Sequence, residues 1–583
     1  MSARGSAALL LHRTASSDLL VGAAMDHEIL VAGGQVVTET ESFPDWARTT
    51  MTVLLEPGAD LTIVKVLAYG WSGGRSLPAV RDQVAAALAA ARHTGWDGLV
   101  EDQRRYLDDF WRQADLEVEG DDEIQQAARF CLFHTLQASA RAEQRPIAAK
   151  GLTGDGYDGH AFWDTEIYVL GMLTYTLPEA VADALRWRQA ILEKARRRAR
   201  QLGLDGAAFP WRTIAGEECS AYWPAGTAAF HVNADVAFAV DRYVGATGDD
   251  EFEQTTGVEL LVETARLWCS LGFHADDGFH LDGVTGPDEY TAVVDDNLYT
   301  NLMARQNLRA AALALRRQDG LAAALGVDEE EIRAWLRAAD EMAIPYNAEL
   351  GVHEQDAGFT RRQRWDFHST APEQYPLMLH VPYFDLYRKQ VVKQADAVLA
   401  MYLCGEAFTP EERRRGFEYY EALTVRDSSL SAAIQSVVAA DVGHLDLAYD
   451  YLREASLMDL RDLEHNTADG LHLAALAGSW LCLVCGFGGM RQRSGRLVFD
   501  PKLPEPLTRL VCNLRFRNRH LRVVLGRDEA SFEVVEGGPL AIEVAGEEVM
   551  LPAGSPVRRK IPPAERRPRP AQPEGREPAP RRG

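Results

Sequence analysis

Positive charge is in short supply. Against 86 Asp and Glu stand 61 Lys and Arg, so the 583 residues carry a formal charge of −25. A nucleic-acid partner needs a basic face to neutralise its phosphates, and this balance excludes one. Long apolar runs are missing as well. No stretch reaches 18 consecutive apolar residues, so nothing is long enough to span a bilayer as a helix. The N-terminus offers Arg4 and a short apolar run, Ala7 to Leu11, too weak for a secretory signal. Cysteine is scarce. Seven scattered residues fit a reduced, cytoplasmic protein rather than a disulfide scaffold. Cys482 and Cys485 form a C-x-x-C, but Trp480, Leu481, Leu483 and Val484 surround them. With no second pair and no basic neighbours they read as buried structural thiols, not as a zinc or redox site.

What is present is ordinary for a folded protein: 46% apolar and 25% charged residues, over a length that allows several domains. Residues 27–66 alternate and are rich in β-branched types, with a turn at Pro57-Gly58, and read as antiparallel strands. Helical periodicity takes over at 76–115. From about 121 to 490 the pattern is helical, with expected helices at 122–142, 179–202, 228–246, 257–270, 296–317, 329–341, 389–404, 410–421, 430–455 and 470–485. Thr409-Pro410-Glu411-Glu412 is a start signal of the capping kind. A dozen or so helices in sequence suit an α/α toroid. Near 491 the period returns to 2 and a second β module begins. Residues 558–583 hold seven Pro and nine Lys or Arg against three Glu, a net +6 that leaves −31 on residues 1–557. On composition that tail is disordered. The expected domains are therefore 1–75 (β), 76–120 (helical linker), 121–490 (helical body), 491–557 (β) and 558–583 (tail).

The loops of the helical body are rich in Gly, Trp, Tyr and Asp, and such loops on a rigid scaffold usually carry function. One runs Gly154-Asp-Gly-Tyr157-Asp158-Gly159-His160-Ala-Phe162-Trp163-Asp164-Thr165-Glu166. Aromatic faces pack on the apolar side of a pyranose and carboxylates accept its hydroxyls, although a Gly-rich turn before a helix has the same look. A second holds Phe209, Trp211, Arg212, Glu217, Glu218, Tyr222, Trp223, His231, Asn233 and Asp235, in a spacing that fits no zinc signature. A third is Thr285-Gly286-Pro287-Asp288-Glu289-Tyr290. A carboxyl held by a Gly-Pro turn beside an aromatic meets the need of a general acid in glycoside cleavage, and also fits a solvated acidic turn. The fourth group is Lys393-Gln394-Ala395-Asp396, Arg426-Asp427-Ser428-Ser429-Leu430-Ser431 and Asp469-Gly470-Leu471-His472. Ser428 and Ser429 suit both an anion cradle and the N-cap of the following helix, and a helix N-terminus is itself an anion site.

In this order, together with Tyr299-Thr300-Asn301 and Gly486-Phe487-Gly488-Gly489, these segments resemble glycoside hydrolase family 65 across roughly residues 120–500. The family holds inverting phosphorylases of maltose, trehalose, kojibiose or nigerose, and some hydrolases. The resemblance implies a mainly α protein: an (α/α)₆ barrel catalytic domain, flanked by a partial N-terminal β-sandwich and a small C-terminal β-sheet domain. It makes Glu289 the general acid. It places Trp163, Asp164, Lys393 and Gln394 at the glucosyl subsite, and Ser428, Ser429 and His472 on phosphate. Arg426 stands where a His is expected and suits phosphate too. The implied reaction is phosphorolysis of an α-linked glucose disaccharide to β-glucose 1-phosphate and a free acceptor sugar. Phosphate is a co-substrate; no metal or other cofactor is implied, and a homodimer is. Asp427 as a water-activating base would instead give an inverting hydrolase of trehalose or kojibiose type. A sugar-binding protein without turnover is a third reading. The family's N-terminal sandwich is longer than the strands at 27–66, so the chain is expected to begin partway through that domain.

Overall fold

The computed structural model describes residues 2–15, 18–32, 34–139, 145–318 and 320–578, the side chains of residues 2 and 4 excepted. It divides into two compact units, residues 1–111 and 112–583. No helix among the described residues is long and apolar enough to cross a membrane.

In the first unit the strands extend well beyond 27–66. Ser2–Arg4, Ala7–Arg13, Leu20–Val31 and Leu61–Ser72 form one antiparallel sheet in that order, and Val36–Ser42 pairs with Ala47–Val53 in a hairpin. The helix that begins at Leu77 packs Val84 and Leu88 on Leu9, Ala24 and Ala68 of the sheet. Burial of each aliphatic side chain is worth about 1.5–3 kcal/mol. Gly22 and Gly70 face each other across two strands. A Cβ on either would lie 3.0–3.1 Å from Val80 or Val84, so this glycine pair lets the helix approach.

The second unit is built on six inner helices: Thr165–Thr176, His231–Thr247, Leu298–Arg317, Asp396–Leu403, Ser431–Asp441 and Leu473–Phe487. Each packs against the next and the last against the first, which closes a ring. Their sequences explain the placement. Leu170–Thr176 and Leu473–Leu481 are buried at every position, and a helix apolar all round must sit inside. The outer helices are amphipathic. Glu329–Glu341 buries Ile332, Trp335, Ala338 and Ala339, and Asp328 caps it by accepting from the Glu330 and Glu331 amides. Thr409 and Glu412 form the capping box that starts Pro410–Glu421. The architecture is an (α/α)₆ barrel with a C-terminal sheet domain, and β-strands precede it in the first unit.

Several expectations need correction. The helix expected over 179–202 is two, Pro178–Ala190 and Leu192–Gln201, parted at Ile191. The inner helix over 165–176 was not among the expected ones. It opens with a π-helical turn, Thr165–Val169, whose wider spacing blurs the 3.6 period. The helix expected over 389–404 begins only at Asp396, because the backbone of 389–395 is bonded to other loops. The helix expected over 430–455 is two, Ser431–Asp441 and Leu445–Leu457, parted at Gly443 with φ +94°. Within the expected linker 76–120, Leu116–Glu119 is a strand. It pairs with Arg509–Phe516 at the edge of the five-stranded C-terminal sheet.

The tail is not disordered over its described length. Val557–Lys560 adds to the sheet beside Glu529–Glu536. Residues 561–578 then run along the barrel as an extended arm. The Arg567 amide donates to the Gly443 carbonyl, Arg569 pairs with Asp450, and Gln572 donates to Glu421. Prolines lower the entropy lost on ordering, and the arginines find partners on the acidic body. Composition alone does not contain that complementarity.

Candidate active site

The chemistry-bearing loops enter the inner helices at one end of the barrel, where hydrogen bonds tie them together. Asp288 is the knot. It is fully buried, and its Oδ1 accepts the Lys393 amide at 2.8 Å and the Tyr290 amide at 3.3 Å. Its Oδ2 accepts Thr291 Oγ1 at 2.8 Å and Gln355 Nε2 at 2.9 Å. Asp396 in turn accepts the Asp288 amide at 2.8 Å and Asn297 Nδ2 at 2.9 Å. Two carboxyls this buried and this close do not both ionise. Burial pushes both up, and the proton rests on Asp396, since Asp288 has the larger set of donors. Gly286 makes the closure possible. A Cβ there would stand 2.1 Å from Asp396 Oδ2.

This knot sets Glu289 opposite Lys393, with Nζ 3.0 Å from Oε1 and both side chains largely buried. Gln394 is stretched between loops, donating to the Pro287 carbonyl at 2.6 Å and accepting from Ser428 Oγ at 2.7 Å. Tyr222 donates to the Glu289 carbonyl at 2.9 Å and meets Tyr387 Oη at 2.9 Å. Tyr383 packs beside Tyr222. Burial first and then the Glu289 charge push its hydroxyl up to about 12. Glu289 therefore sits beside a wall of tyrosines.

Trp163 is buried and makes an edge contact with His231 at 5.1 Å. His231 Nδ1 bonds Asp235 at 2.7 Å, and Tyr299 donates to the same carboxylate at 2.6 Å. Asn233 accepts the Phe209 amide. His231, Asn233 and Asp235 thus form a buried, hydrogen-bonded polar cluster beside Trp163. Asp164 follows Trp163, half-buried. Burial pushes its carboxyl up to about 7.

Across the site, His472 Nδ1 donates to Asp459 Oδ1 at 2.7 Å, and its Nε2 accepts from Lys150 Nζ at 3.0 Å. Lys150 is buried, also donates to the Gly470 carbonyl, and burial pulls its pKa down. Ser428 and Ser429 lie at the start of Ser431–Asp441, at the positive end of the helix dipole. Arg426 is less available. Its Nε is held by Glu454 at 3.1 Å and its guanidinium lies over Tyr451. Asp427 is committed as well. Its Oδ2 accepts Tyr290 Oη at 2.6 Å and the Leu377 amide at 2.7 Å, and its Oδ1 accepts Arg576 Nη2 at 3.0 Å.

Family profiles match along the chain: the glycosyl hydrolase family 65 N-terminal domain over 1–110, the central catalytic domain over 129–481, and the C-terminal domain over 490–551. The chain belongs to glycoside hydrolase family 65. This family 65 chain is 57% identical to an uncharacterized glycosyl hydrolase of Mycobacterium tuberculosis, over 99% of its own length and 73% of the relative's. It is 39% identical to an α,α-trehalose phosphorylase of Thermoanaerobacter brockii, over 95% and 73% respectively. A solved structure from the human microbiome, assigned as a kojibiose phosphorylase, superposes with a TM-score of 0.87 at 28% identity, covering 96% of this chain and 75% of that one.

Several site residues escape a reading of the sequence. Lys150 sits in Ala-Ala-Lys-Gly-Leu with no pattern around it, and Asp459 lies at a helix end. Tyr383 and Tyr387 carry a weak signal, two tyrosines one turn apart ahead of the helix expected over 389–404. Asp288 and Asp396 lie inside quoted motifs, but only the fold reveals that they meet.

Proposed function

We propose that the protein is an inverting phosphorylase that cleaves an α-linked glucose disaccharide into β-glucose 1-phosphate and a free acceptor sugar. The observation that carries this reading is the engagement of Asp427 by three donors. An inverting hydrolase needs a second carboxylate with a free lone pair to activate water opposite the acid. Three donors, the Tyr290 hydroxyl, the Leu377 amide and the Arg576 guanidinium, already hold the Asp427 carboxylate, and its side chain is buried. In the same region lie the Lys150–His472 pair and the Ser428–Ser429 turn at a helix N-terminus, groups that suit an anion.

In this reading Glu289, as general acid, gives a proton to the glycosidic oxygen as the C1–O bond breaks. The carboxylate left behind faces Lys393, which stabilises it. Trp163, Asp164, Lys393 and Gln394 hold the glucosyl ring. Phosphate, held by Ser428, Ser429 and His472, attacks C1 from the opposite face, so no protein base is required. Arg426 contributes through its charge, since Glu454 already holds its Nε. Phosphorylases of trehalose, maltose and kojibiose among the relatives support the same class of reaction.

The test is a panel of α-linked glucose disaccharides incubated with and without inorganic phosphate. Cleavage that depends on phosphate and yields β-glucose 1-phosphate is expected. Equal glucose release in phosphate-free buffer refutes the reading, and loss of that release in Asp427→Asn would establish the hydrolase. Glu289→Gln is expected to lose about 10²–10⁴-fold in cleavage of unactivated disaccharides.

A further inference from the structure

We propose that Arg576, in the C-terminal arm, is a positioning residue of the phosphate site: it clamps the backbone and carboxylate on either side of Arg426 and so sets the affinity of the Ser428–Ser429 turn for phosphate. The inference rests on the phosphorolytic reading above. Arg576 lies beyond residue 551, where the match to the family's C-terminal domain ends. No motif in the sequence pointed to it.

The geometry is a fork. Arg576 Nε donates to the Val425 carbonyl at 2.7 Å and Nη2 to Asp427 Oδ1 at 3.0 Å. The guanidinium is stacked on Tyr375, 4.6 Å from its ring centre. Between the two gripped residues stands Arg426, with φ +56°. A residue with a side chain holds that left-handed conformation only when its surroundings over-determine it. Arg576 supplies the constraint from one side. Glu454, which holds the Arg426 guanidinium, supplies it from the other. Ser428 and Ser429 follow directly, so the turn that presents their hydroxyls starts from a backbone the arm has fixed.

Charge adds a second effect. The Asp427 side chain is only 1% exposed. Tyr290 and Leu377 satisfy one of its oxygens but bring no positive charge. Glu464 and Glu454 lie in the same neighbourhood. Left unpaired, the Asp427 charge would face an incoming dianion across a low-dielectric space, and Arg576 cancels it. The arm itself is anchored independently of this contact, through Arg567 on Gly443, Arg569 on Asp450 and Gln572 on Glu421. Removing the Arg576 side chain therefore need not release the arm.

The experiment uses the full chain and compares wild type, Arg576→Ala and Arg576→Lys. Initial rates are measured against inorganic phosphate at saturating disaccharide, and against disaccharide at saturating phosphate. For Arg576→Ala the phosphate KM is expected to rise about tenfold or more, with the disaccharide KM within about twofold. Arg576→Lys keeps the charge and loses the fork, so it should fall between the two. Adding Asp427→Asn to Arg576→Ala should restore part of the phosphate affinity, because the uncompensated charge is gone. A merely structural role would lower the melting temperature and leave this split absent. A phosphate KM unchanged in Arg576→Ala, or in a stably folded Arg576→Lys should the alanine variant not fold, overturns the proposal while phosphorolysis by the wild type stands. A wild type whose rate does not saturate with phosphate overturns the phosphorolytic reading, and this proposal with it.

Discussion

Asp288→Asn is the sharpest probe of how the site is held. The carboxylate accepts on both oxygens, and an amide can accept on only one. If the amide oxygen keeps the Lys393 and Tyr290 amides, its nitrogen faces Thr291 Oγ1 and Gln355 Nε2. The threonine hydroxyl can rotate and accept. Gln355 cannot turn over freely, because its Oε1 already accepts the Asp396 amide at 3.1 Å. Gln355 Nε2 then keeps only Thr291 Oγ1 at 3.1 Å, and one of its two buried N–H groups is left without an acceptor, at about 1–3 kcal/mol. The loops carrying Glu289 and Lys393 then part, and a displacement of about 1 Å between reacting groups costs on the order of 10²-fold in rate. The expected result is a lower melting temperature and a kcat down about 10–100-fold, with Glu289 and Lys393 chemically intact. Circular dichroism melts and steady-state phosphorolysis measure the two. A variant that melts with the wild type and turns over at its rate would refute the claim that Asp288 joins these loops.

Three further outcomes follow from the same geometry. Gly286→Ala puts a methyl 2.1 Å from Asp396 Oδ2, inside a pair bonded to Asn297, and overpacking costs about 1–3 kcal/mol or more; a wild-type melting temperature would contradict it. The Asp164 carboxyl, raised to about 7, is mostly ionised at pH 8 and mostly neutral at pH 6. Sugar hydroxyls lose an acceptor as pH falls, so calorimetric disaccharide affinity in phosphate-free buffer should drop by up to about tenfold over that range, and Asp164→Asn should flatten the profile. Lys150→Met leaves His472 Nε2 without its donor. The phosphate KM should rise while disaccharide binding by calorimetry stays unchanged, and an unaltered phosphate KM would remove Lys150 from the anion site.

How much of this the sequence discloses depends on the range of the forces involved. The inner helices are legible where apolar residues fill every face, as at 470–485. They are lost where a π-helical turn breaks the period, as at Thr165–Val169. Glu289 stands out because a Gly-Pro turn beside an aromatic is a local pattern. Its pairing with Lys393 is not legible, since no periodicity links two loops in separate turns of the barrel. Lys150, Asp459 and Arg576 have no local signature at all. What places them is complementarity to groups distant in sequence, and for Arg576 composition pointed the other way. Proline and arginine predict solvation when read alone, and order once an acidic wall is present.

The strand Leu116–Glu119 bears on how the protein is made. Arg509, which grips Glu119, lies 390 residues downstream. At about 5–20 residues per second, a ribosome leaves this strand without its neighbour for about 20–80 s. An unpaired strand with apolar Leu116 and Val118 is an invitation to aggregate. Glu117 and Glu119 alternate with them and keep that edge charged while it waits. The same two side chains then receive Arg509 and Arg522 when the last sheet is synthesised. One pair of glutamates first repels strangers and later selects the register. A chain begun after residue 120 would keep the whole barrel and yet leave Arg509–Phe516 as an open edge.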